Sequence, residues 1–63
     1  METLPDCIAR LRQENVAFAE RIQRTQQPEA DALSKMLIPY YEGLIRTNTE
    51  VIAILERYLK DIP

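Results

Sequence analysis

The sequence predicts an all-α protein: an antiparallel helical hairpin, its second helix kinked at Pro39, that completes a helical bundle with other chains. Three observations lead there. The chain has one glycine and four prolines in 63 residues, so little interrupts long helices. Apolar residues recur at alternating spacings of four and three in two long segments, the spacing of a coiled-coil seam. A chain this short also struggles to bury enough apolar surface alone, and this one has neither of the usual staples. Its only cysteine is Cys7, which excludes an internal disulfide, and with no histidine there is no zinc constellation.

Helix one is expected over about residues 4–26. Thr3 supplies an N-cap, Pro5 is tolerated in the first turn, and Asp6 places a carboxylate near the helix N-terminus. Leu4, Ile8, Leu11, Asn15, Phe18 and Ile22 fall on one stripe, with only Asn15 interrupting the apolar run. Arg10, Glu14, Arg21 and Arg24 lie on the opposite, solvated face.

Helix two is expected over about residues 28–62, with Pro28 at its first position and Glu29 and Asp31 in its first turn. Tyr41, Asn48, Leu55 and Ile62 stand seven apart, flanked by Leu44, Val51 and Tyr58 on one side and by Ile45, Ile52 and Leu59 on the other. Two seams therefore share an edge, and a face so wide calls for more than one neighbouring helix. Pro39 removes a backbone hydrogen bond at a cost of roughly 3 kcal/mol in a helix interior. With no loop-forming cluster around it, a kinked continuous helix is expected rather than a break.

A tight turn at Pro28 sets the register of the hairpin. Phe18 then falls opposite Leu37, Leu11 near Leu44 and Ile45, Asn15 near Tyr41, and Asn48 near Ile8. Ala53 to Ile62 is left projecting about 15 Å beyond helix one. The residues expected to meet a partner are thus Tyr41, Asn48, Ile52, Leu55, Tyr58, Leu59 and Ile62. Asn15 and Asn48, each where the spacing calls for a large hydrophobe, are expected to set specificity, as polar seam residues do for register and partner number.

Nothing in the sequence supplies chemistry. Histidine is absent, Ser34 is the only serine, and there is no glycine-rich phosphate loop, so neither an enzyme nor a cofactor is expected. Arg10, Arg21 and Arg24 form a stripe that could meet nucleic acid, but Asp6 and Glu14 dilute it and the pI is about 5.0. No apolar run is long enough to span a bilayer and the N-terminus lacks the pattern of a secretory signal, so no membrane is expected and the location is read as intracellular, cytoplasmic or nuclear. The function these features imply is a small interaction subunit or adaptor whose partner is itself, as a dimer, or a larger helical complex; the alternative is a nucleic-acid-binding regulator.

Overall fold

The computed structural model describes residues 1–61. Among them every regular element is a helix: α1 spans Leu4–Thr25, α2 Ala32–Met36 and α3 Ile38–Asp61. The long helices α1 and α3 pack as a hairpin, and the molecule is a rod of 52 × 18 × 15 Å.

The start of α1 follows from its first residues. Thr3 accepts the Asp6 amide on its hydroxyl at 3.2 Å, while the Asp6 carboxylate accepts the Thr3 amide at 3.5 Å, a reciprocal capping box. Pro5 sits in the first turn, where no intrahelical donor is needed. The helix closes at Gln26, whose amide reaches back to the carbonyls of Ile22 and Gln23.

Beyond that point the structure corrects the expected second helix twice. Helix does not resume at Pro28. Residues 26–31 form a turn, and α2 begins only after Asp31, whose carboxylate accepts the Ser34 amide at 2.7 Å as an N-cap. Asp31 is thus a helix boundary rather than a first-turn residue. Nor is the helix continuous through Pro39. It stops at Met36, passes through Leu37, and restarts at Ile38, which puts Pro39 in the first turn of α3. Proline lacks the amide that would reach the Lys35 carbonyl, and a fresh helix start leaves that group unneeded.

These two boundaries also reset the hairpin register. Asn15 lies against Thr49, not Tyr41; Glu14 against Asn48; Arg12 against Glu56; Phe18 against Tyr41, not Leu37. The turn and α2 consume chain that a tight hairpin would have laid along α1, so α1 meets a later stretch of α3. The expected overhang from Ala53 therefore does not form. Ile8, Leu11 and Ile52 are the buried core, and Leu55, Leu59 and Cys7 pack against it.

Candidate interaction surface

The surface is set by how α3 divides its apolar residues. Successive residues of a helix turn by about 100°, so Tyr41, Ile45, Asn48, Ile52, Leu55 and Leu59 form one seam. This inner seam faces α1: Tyr41 stacks on Phe18 with ring centroids 5.9 Å apart, Ile52 is buried against Ile8 and Leu11, and Leu55 and Leu59 cover them. Asn48 donates its amide to Glu14 at 3.2 Å.

A second stripe lies about 100° further round the same helix. Tyr40, Leu44, Thr47, Val51, Ile54 and Tyr58 follow one another at spacings of four, three, four, three and four. Leu44 is half-buried, but Tyr40 is 61% exposed, Ile54 64%, Tyr58 58% and Val51 37%. Leu33, Met36 and Leu37 on and beside α2 are exposed as well. Isolated surface hydrophobes are ordinary, whereas a row at seam spacing is a helix face without a neighbour.

The residues expected to meet a partner therefore separate. Tyr41, Asn48, Ile52, Leu55 and Leu59 belong to the inner seam, Tyr58 stands on the outer stripe, and Ile62 lies outside the described residues. From the sequence Leu44 and Val51 stand beside Tyr58; Tyr40, read there as a rim residue, and Ile54 are not joined to them. The signal was there: Thr47 and Ile54 fill the three-residue steps between Leu44, Val51 and Tyr58, and Tyr40 stands one four-residue step before Leu44.

Several charged side chains of α1 are paired in place. Arg10 bridges Glu2 at 2.9 Å and Glu14 at 3.0 Å, and hydrogen bonds to the two carboxylates, Glu2 first, hold its guanidinium protonated well beyond its ordinary range. Since Glu14 also takes the Asn48 amide, this network ties the start of α1 to α3. Arg12 pairs with Glu56 at 2.8 Å, Arg24 lies 3.9 Å from Glu20, and Arg21 stands 5.8 Å over the Tyr41 ring. Cys7 is a free, half-buried thiol whose sulfur accepts from Arg10 at 3.7 Å.

Among the described residues Asn15 carries the one buried side-chain polar atom without a hydrogen-bond partner. Its amide nitrogen donates to the Thr49 hydroxyl at 3.3 Å, and that hydroxyl passes its own proton to the Ile45 carbonyl at 2.8 Å. The hydroxyl has no proton left for Asn15, which fixes the amide orientation and leaves the Asn15 Oδ1 buried without a donor. Arg12, Asn15, Val16, Thr49, Ile52, Ala53 and Glu56 line a shallow groove on this side of the hairpin.

Among the described residues no cluster of His, Cys, Asp and Glu is arranged to hold a metal, and no helix is long and apolar enough to cross a membrane. No known protein family, characterised protein or solved structure matches the chain.

Proposed function

We propose that the chain is a small, non-enzymatic interaction subunit that works by packing the outer stripe of α3 against helices of another chain. The observation that carries this reading is the amount of surface left open. The accessible surface is 5098 Å², where a compact monomer of 7.3 kDa has about 4,200 Å². Its radius of gyration, 14.8 Å, likewise exceeds the roughly 11 Å of a compact domain of this length. The surplus is accompanied by a stripe of aromatic and branched side chains with helical seam spacing, the chemistry that helix packing buries. The arginines of α1 lend little to a nucleic-acid role, because carboxylates or the Tyr41 ring already engage Arg10, Arg12, Arg21 and Arg24.

Circular dichroism on serial dilution, with an apolar-surface dye added to parallel samples, tests the reading. A chain that needs another chain's helices loses helicity on dilution or binds the dye. Full helicity at every dilution with no dye binding would remove it.

A further inference from the structure

We propose that the occupant of the outer α3 stripe is a second copy of this chain, paired antiparallel about a two-fold axis; this rests on the reading above and names its partner. Three features of the structure bear on the occupant, and the first of them selects a copy over a foreign helix. The first is the symmetry of the stripe. Read outward from its centre it runs Thr47 and Val51, then Leu44 and Ile54, then Tyr40 and Tyr58, two residues of similar size at each step and of similar chemistry at the outer two. An antiparallel copy sets Thr47 opposite Val51 of the second copy, Leu44 opposite Ile54 and Tyr40 opposite Tyr58, filling six layers that are aliphatic or aromatic on both sides except for the two central threonines. Self-complementarity of this kind is what a two-fold interface requires, since each patch meets itself reversed.

The second feature is area. The surplus of accessible surface, 5098 Å² against about 4,200 Å², is about 900 Å² per chain. A stable pair needs about 800 Å² from each partner. The open surface of the rod is large enough for a pair.

The third is the angle between the two seams. With α1 on one side of α3 and the outer stripe about 100° away, a second helix docks beside α1 without displacing it, as adjacent neighbours do in a four-helix bundle. The tyrosines close both ends of the interface, rings inward and hydroxyls at the rim.

Sedimentation equilibrium of the wild-type chain, with helicity recorded on the same samples, is the test. A dimer is expected, and Ile54→Glu is expected to weaken it about 100-fold or more, because symmetry removes two Ile54 contacts at once. Ile54 is 64% exposed within the chain, so the variant keeps the helicity of the hairpin. The register is tested by Thr47→Glu and Val51→Lys, both at exposed positions. Each alone is expected to be a monomer, while an equimolar mixture regains the dimer, since only antiparallel pairing brings the two altered side chains into one layer. Failure of the mixture to associate, with both variants helical, would overturn the register. A wild-type chain that stays monomeric, or a dimer indifferent to Ile54→Glu, would overturn the proposal. The two readings fail separately: a monomer that binds the apolar-surface dye removes the second copy but keeps the packing surface, and a helical monomer that does not bind it removes both.

Discussion

Replacing Asn15 with leucine is expected to stabilise the hairpin, an unusual direction for a core substitution, and the magnitude follows from three contacts. The wild-type amide gives one long hydrogen bond to Thr49, at 3.3 Å, worth about 0.5–1.5 kcal/mol net. Against it stands the Oδ1, buried with no donor, a deficit of about 1–3 kcal/mol. Leucine loses the first, removes the second, and adds apolar surface to a stripe that already holds Leu11 and Phe18. Thr49 is not orphaned, because its hydroxyl still donates to Ile45. The net expectation is a gain of about 1–2 kcal/mol. For a domain of this size that raises the melting temperature by about 4–8 °C per kcal/mol. Thermal unfolding followed by circular dichroism, at one fixed chain concentration because association contributes to stability, measures it. Asn15→Asp is the companion variant: it keeps the shape but cannot donate to Thr49, and should destabilise. A lower melting temperature for Asn15→Leu would refute the reasoning, since it would show that Oδ1 has a partner after all.

Three further expectations concern the core and the two boundaries of α2. Ile52→Ala removes the most buried side chain, 6% exposed, and should cost about 2–4 kcal/mol, read as a lower urea midpoint. Pro39→Ala restores the missing amide and should join α2 to α3, raising helicity; unchanged ellipticity would mean that Leu37, not the proline, holds the break. Hydrogen bonding from Ser34 holds the Asp31 carboxyl below its ordinary pKa of 3.8. A depressed carboxyl contributes stability that is present above the ordinary value and is lost as pH falls through the lower, folded one. Protection of the Ser34 amide, its exchange relative to the intrinsic rate at the same pH, should therefore fall below about pH 4, and Asp31→Ala should show the lower protection already at neutral pH.

What the sequence disclosed was local. Thr3, Pro5 and Asp6 mark the start of α1 because a capping box is written in adjacent residues, and the stripe through Ile8, Leu11 and Phe18 is visible because a helix repeats every few positions. The inner seam of α3 was legible for the same reason. The register between the helices was not, because it depends on how many residues the connection consumes. Asp31 reads equally as a first-turn carboxylate or as an N-cap, and only the second lengthens the connection. Pro39 reads from the sequence as a kink, because no loop-forming cluster surrounds it, yet the helix breaks at Leu37 and the proline falls in the first turn of a new helix. Once those two boundaries are placed, Asn15 moves from Tyr41 to Thr49 and Leu55 and Leu59 move from an overhang into the core. The outer stripe could have been read in full from Tyr40 and Ile54, yet which of two adjacent seams faces α1 required the register.

The claim that the outer stripe of α3 is covered by another chain is tested most directly at the Ile54 side chain. Methyl relaxation by a soluble paramagnetic probe, measured from high to low chain concentration, reports its access to solvent. The Ile54 methyl is expected to be shielded at high concentration and, on dilution, to become as accessible as its 64% exposure within the hairpin implies. An Ile54 methyl equally open to the probe at every concentration, in a chain that stays fully helical, would contradict it.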